Sequence, residues 1–222
     1  MRQLTILIVF AFSMTSLYGQ TEIELYFKND CDNSISKIEF ELLNLNGSRE
    51  DIVSKNGIAV LKNKGTYLLT SYYVWRDMVS SFNHTIQIED FKKLVDTLNI
   101  PRIKFTIESA LHSQYWNYFN CDKLCDGLET DFYPNGKKRL EGEFKNGKPS
   151  HLTEYREDGT KETESWYVAG TTLYTSVDYF NAAGKLDEYV KYKNRKRKTI
   201  KMTYNAQGKR SRREVIKHEI EK

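Results

Sequence analysis

The 222-residue sequence predicts an all-β protein: a small Greek-key β-sandwich followed by an antiparallel β-meander of hairpin repeats, after a cleaved signal helix. Three observations carry that prediction. The composition has 15 tyrosines and 11 phenylalanines against 3 prolines, and aromatic residues suit half-buried pleated surfaces. Short runs of alternating polar and apolar residues recur about every ten residues through the first half, a spacing typical of a sandwich or barrel. One phrase then occurs four times, as Phe132-Tyr133-Pro134-Asn135-Gly136-Lys137, Tyr155-Arg156-Glu157-Asp158-Gly159-Thr160, Phe180-Asn181-Ala182-Ala183-Gly184-Lys185 and Tyr204-Asn205-Ala206-Gln207-Gly208-Lys209. Its glycines lie 23, 25 and 24 residues apart.

Residues 1–19 read as a secretory signal peptide. Arg2 precedes an apolar run from Leu4 to Met14, with a small-residue exit at Gly19. The run is shorter than the roughly 20 residues that span a bilayer. Cleavage is expected between Gly19 and Gln20, although Leu17 is bulky for such a site.

Residues 20–118 read as the sandwich. Glu22-Ile23-Glu24-Leu25-Tyr26-Phe27 and Lys37-Ile38-Glu39-Phe40-Glu41-Leu42 alternate as strands with one solvated face. Further strands are expected at Ile52-Val53, Ile58 to Leu61, Tyr67 to Tyr73, His84 to Ile88 and Arg102 to Ile107, with turns at Asn46-Gly47 and Asn56-Gly57. Phe91 to Val95 has the pattern of a short helical turn. Cys31, Cys121 and Cys125 allow one disulfide and one leftover thiol in an oxidising compartment. Pairing Cys31 with Cys121 or with Cys125 would tie the first domain to its junction with the repeats. Closing a loop of about 90 residues contributes a few kcal/mol in the chain-entropy model.

Residues 119–222 read as the repeats. Gly136, Gly159, Gly184 and Gly208 supply the positive φ of tight hairpin turns. Asn146-Gly147 and Ala169-Gly170 mark a second turn in the first two copies. The aromatics Phe132, Phe144, Tyr155, Tyr167, Phe180, Tyr192 and Tyr204 are expected to fill one face, and Ile216 is the apolar residue at the matching place in the last copy. Single units with such a face bury it only by stacking on neighbours.

The phrases carry two resemblances. Asn56-Gly57-Ile58-Ala59-Val60, followed by Lys64-Gly65-Thr66-Tyr67-Leu68-Leu69, resembles the transthyretin-like and carboxypeptidase-regulatory-like modules. That likeness implies a sandwich with a binding or spacer role. Phe132 to Lys137, with Leu140-Glu141-Gly142-Glu143-Phe144-Lys145-Asn146-Gly147-Lys148-Pro149, resembles MORN-type repeats in their YwqK-like antitoxin-repeat variant. The second copy has Ser165 in place of Gly142, and the last two lose both later glycines. The likeness implies an interaction scaffold with protein or lipid partners, and no enzyme.

Candidate chemistry is sparse. A net charge of +4 does not by itself imply nucleic acid or membrane. From Lys191 to Arg213 there is no acidic residue, and the cations are Lys191, Lys193, Arg195, Lys196, Arg197, Lys198, Lys201, Lys209, Arg210, Arg212 and Arg213. With Tyr192 and Tyr204 interleaved they suit anionic lipid or glycan. The simpler reading is a solvated terminal hairpin whose charges protect a sheet edge. Export argues against nucleic acid as a partner. His84, His112, His151 and His218 are scattered singly, so no metal or other cofactor is expected. Glu141 and Glu143 share a strand face, but amid lysines they read as solvated. Cys125 lacks an evident base. The run Tyr115-Trp116-Asn117-Tyr118-Phe119 reads as a seal between modules rather than a sugar platform. These observations lead to an exported, non-enzymatic protein-protein interaction module, with a neutralising, antitoxin-like or immunity-like role among its forms. The alternative is an envelope scaffold bound to anionic lipid through the basic end, and an enzyme of unrecognised type is the remainder.

Overall fold

Alternation in β1 (Thr21–Asn29) places Ile23, Leu25 and Phe27 inward, each at most 1 % exposed. In this computed structural model the described residues are 20–46, 51–75, 78–89, 93–107 and 116–217. The signal segment, Gly47, Phe91, Lys92, His112, Tyr115 and His218 lie outside them. The described part is all-β. The first sheet has β1 at its centre, with β2 (Ser34–Ser36) and β5 (Ile58–Leu61) antiparallel along one edge. Along the other edge runs β8 (Leu94–Asn99), parallel to β1. The second sheet takes β4 (Asp51–Val53), β3 (Phe40–Asn44), β6 (Gly65–Trp75) and β7 (Met78–Ile88) in that order. Phe27, Phe40, Leu42, Leu61, Tyr67, Leu69 and Leu98 interdigitate between them as the sandwich core. Burying each such side chain contributes about 1.5–3 kcal/mol before chain entropy is counted.

Three strands differ from expectation. The strand expected at Lys37 begins at Phe40, because Phe40 N–H is drawn to Ser54 Oγ at 2.7 Å and Lys37 turns outward to Glu24. Leu94 and Val95 lie in β8 and not in a helical turn, since β1 offers them an open backbone edge. The strand expected from Arg102 is β9 (Ile103–Ile107), and it joins neither sandwich sheet. It pairs with β10 (Trp116–Asn120), which pairs in turn with β11 (Lys123–Leu124).

The repeats form one eight-stranded antiparallel meander. In order it comprises β12 (Gly127–Phe132), β13 (Lys138–Lys145), β14 (Lys148–Tyr155), β15 (Lys161–Tyr167), β16 (Tyr174–Phe180), β17 (Leu186–Arg195), β18 (Lys198–Asn205) and β19 (Arg210–Lys217). The recurring phrase makes the same turn each time. Tyr133, Arg156, Asn181 and Asn205 each donate N–H to the carbonyl four residues on, and accept from the glycine three residues on. Gly136, Gly159, Gly184 and Gly208 have φ between +68° and +89°. Side-chain oxygens of Asn135, Asp158, Asn181 and Asn205 accept further turn amides.

Among the described residues the second layer lies over the start of the sheet. There the three-stranded sheet lies over one face, and Ile103, Tyr118 and Cys125 pack on Leu140, Phe144, Leu152 and Tyr167. From β16 onward the strands pack essentially against their neighbours in the sheet. The expected aromatic face is therefore graded. Phe144 and Tyr167 are buried, whereas Tyr155, Phe180, Tyr192 and Tyr204 are half-buried. Phe132, 43 % exposed, is a surface residue, contrary to expectation, and Ile216 is 49 % exposed. Phe132 borders a bulge at the strand end, and Ile216 lies on the edge strand of the meander.

Candidate interaction face

Strand register decides where the repeat charges point, because directly opposed residues share a face. One cross-strand row runs Glu143, His151, Trp166, Ser176, Lys191, Met202, Arg213. The next runs Glu141, Thr153, Glu164, Asp178, Tyr189, Tyr204, Arg210. Both rows pass from acidic on β13 to β16 to basic on β17 to β19. This face is the one opposite Leu140, Phe144 and Leu152, so the three-stranded sheet does not cover it.

The acidic half is largely neutralised within the fold. Lys138 pairs with Glu141, and Ser150 Oγ donates to Glu143 at 3.2 Å. Lys161 Nζ lies 2.7 Å and His151 Nε2 2.9 Å from Glu164. Burial raises the Glu164 carboxyl, but these two partners outweigh it and hold its pKa below the ordinary range. Asp178 is pushed up by burial, with the Glu164 charge adding to the shift. Glu141 and Glu143 are thus engaged with Lys138 and Ser150 rather than arranged as an acid-base pair.

In the basic half no cation of this face forms an ion pair among the described residues, although Lys191 lies within the field of Asp178. Lys191, Lys193, Arg195, Lys198, Arg210 and Arg213 share this face, and Lys217, opposite Lys198, extends it. Of the acidic residues of these strands, Glu188 lies in the adjacent register row, opposite Tyr179 and Asn205, and Glu214 sits on the other face, where it pairs with Lys201 at 3.9 Å and with Arg212; Asp187 precedes them at the start of β17. Lys196 and Arg197 form the tight turn between β17 and β18, and Lys209 lies in the turn at the opposite end. Among the cations stand apolar groups. Tyr189 and Tyr204 stack at 4.9 Å and 7°, and Ile200 lies between Lys193 and Val215 in register. Ile200 is only 8 % exposed. The sequence listed these cations without distinguishing faces. The distinction requires the register, although the i, i+3 pair after each turn hints at it: Lys138–Glu141, Lys161–Glu164, Leu186–Tyr189, Arg210–Arg213.

The other candidates resolve into structure. Cys31 and Cys121 form the disulfide, with Cα atoms 5.5 Å apart. Cys125 is free and 0 % exposed, and burial pushes its thiol up to about 12, which suppresses the thiolate a nucleophile needs. His84 Nδ1 lies 2.6 Å from Glu157 Oε1, and Thr85 N–H donates to the same carboxylate at 2.9 Å. The turn of the second repeat thereby docks on β7. The aromatic run does bridge the halves: Phe119 meets Trp75 at 5.5 Å and Tyr118 meets Phe144 at 5.3 Å. Asp131, 2 % exposed, ties β12 to β9 by accepting from Arg102 N–H, Ile103 N–H and the Arg139 guanidinium. Among the described residues no group of three His, Cys, Asp or Glu side chains is placed to hold a metal. Comparison with protein-family models and with curated proteins gave no match.

Proposed function

We propose that the chain is an exported, non-enzymatic interaction module whose partner is a protein with an acidic surface, docked on the basic half of the open meander face. The observation that carries this reading is the row structure, which collects cations and a stacked tyrosine pair on one face of the sheet, opposite the face on which the three-stranded sheet lies. Interfaces favour arginine and tyrosine at their centres. Opposite potentials also speed encounter and reject like-charged competitors. The likeness of the first repeat to MORN-type repeats points the same way. Export is supported by the Cys31–Cys121 disulfide, since such bonds persist in oxidising compartments. The absence of an activated nucleophile at Cys125 and the engagement of Glu141, Glu143 and the described histidines favour binding over catalysis.

The experiment compares capture from the native envelope by the wild-type chain and by a Lys191→Glu, Lys193→Glu, Arg213→Glu variant, alongside anionic vesicles. All three side chains are exposed, so the fold should be kept. The expected result is one protein retained reproducibly by the wild type, released by salt and absent with the variant. Equal capture by both chains, or salt-sensitive vesicle binding with no retained protein, overturns the reading in favour of an unrelated contact or of anionic lipid.

A further inference from the structure

Lys104 sits where one open end of the sandwich meets the three-stranded sheet. Its place on β9 is opposite Phe119, and only 8 % of it is exposed. Its Nζ lies 5.3 Å from the centre of the Tyr73 ring and 5.5 Å from that of the Trp75 ring. It forms no hydrogen bond or ion pair among the described residues. Burial draws its pKa below the usual lysine range, and the more distant Asp131, Asp122 and Asp32 work against that shift. A buried ammonium without hydrogen-bond partners is costly, and two aromatic faces offset that cost only in part.

Lys104 also lines a cavity of about 510 Å³ together with Ser34, Ser36, Tyr73, Trp75 and Ile100. That volume falls within the range of small-molecule sites, which combine apolar walls with a few converging polar groups. A second cavity of about 590 Å³ shares Tyr73 and Lys104.

We propose that this seam cleft binds a small monocarboxylate with an apolar ring or chain. The carboxylate would sit on Lys104 Nζ, with the serine hydroxyls of β2 on the same wall, and the apolar body would lie over Tyr73 and Trp75. A monoanion is specified because Lys104 is the one cation among the residues lining this cavity. The site is separate from the basic meander face and does not depend on what docks there.

Calorimetric titration of the full chain with benzoate, benzamide, benzylamine and inorganic phosphate tests it. The expected result is saturable benzoate binding at least tenfold tighter than benzamide, with no uptake of benzylamine or phosphate. Lys104→Met should erase the preference for benzoate over benzamide. Ser36→Asp, on an exposed strand, leaves the core untouched; it should weaken benzoate at least tenfold and benzamide less than twofold. No saturable benzoate binding, equal affinities for benzoate and benzamide, or a preference that survives in both variants overturns the proposal.

Discussion

Glycine has two separate uses in the repeats, and the two predict different costs on substitution. At Gly136 the backbone has φ +78° while a Cβ would meet nothing within 4 Å, so the requirement is conformational. Gly136→Ala should cost about 1 kcal/mol, the ordinary penalty for a side chain forced into the left-handed region. Gly142 has no unusual φ, but a Cβ there would lie 2.8 Å from His151 O and from Leu152 Cδ1, and 2.9 Å from Phe144 Cε2. The backbone oxygen cannot yield cheaply, so Gly142→Ala should cost more, about 1–3 kcal/mol by overpacking. Urea unfolding midpoints of the two variants check the order; equal losses would mean that Gly142 has slack around it. The sequence marked Gly136 through its place in the phrase. It could not mark Gly142 as a packing glycine, because the β14 atoms that crowd it, His151 O and Leu152 Cδ1, are placed there only by the register of β13 with β14.

At the scale of elements, the meander is held by contacts between successive turns as well as by strand pairing. Tyr133 Oη donates to Tyr155 O at 2.6 Å, and Asn135 Nδ2 to Glu157 O at 3.0 Å. Arg156 extends the chain of contacts by donating to Lys161 O at 2.8 Å, Asn181 O at 3.1 Å and Phe180 O. One guanidinium thus satisfies carbonyls of two adjacent turns at the point where the second layer ends. Arg156→Met keeps the stem and removes the donors. It should cost about 1–3 kcal/mol, since hydrogen bonds from a charged group are worth more than neutral ones. It should also raise amide exchange in β16 to β19 more than in β12 to β14. Uniform exchange along the sheet would show that the turns do not couple the repeats. The hairpins themselves were legible because glycine, asparagine and aromatic spacing is local. Arg156 was not, because two of its acceptors, Phe180 O and Asn181 O, lie two strands away and copies three and four replace it with Asn181 and Asn205, which use the turn differently.

For the whole molecule, what the sequence left open is how the halves meet. Alternation located most strands, but Lys104 is buried while its neighbour Phe105 is 56 % exposed, the reverse of what polarity suggests. Pairing of β9 with β10 imposes that inversion, and with it the seam cleft. The burial concentrated at and beyond this seam has a measurable consequence in alkali. Burial pushes Tyr73 and Tyr192 up to about 12, drives Tyr118 and Tyr167 further up, and raises Cys125 to about 12. Unfolded tyrosine and cysteine release their protons near 10 and 8.5. The folded state therefore holds protons that the unfolded chain loses. This stabilisation is complete below the unfolded values and is lost as pH rises toward the folded ones. Tyr118 and Tyr167, 8 % and 7 % exposed, should each subtract about 1 kcal/mol per pH unit above 10. Lys104 acts in the opposite sense below its unfolded value near 10.4, because there the unfolded chain binds the extra proton. The net fall should consequently steepen between pH 10.5 and 12. Urea midpoints at pH 8, 10, 11 and 11.5 test this, and Tyr167→Phe should flatten the decline at the top of the range. A midpoint constant to pH 11.5 would mean that these rings are solvated and that the second layer over β13 to β15 is not formed in solution.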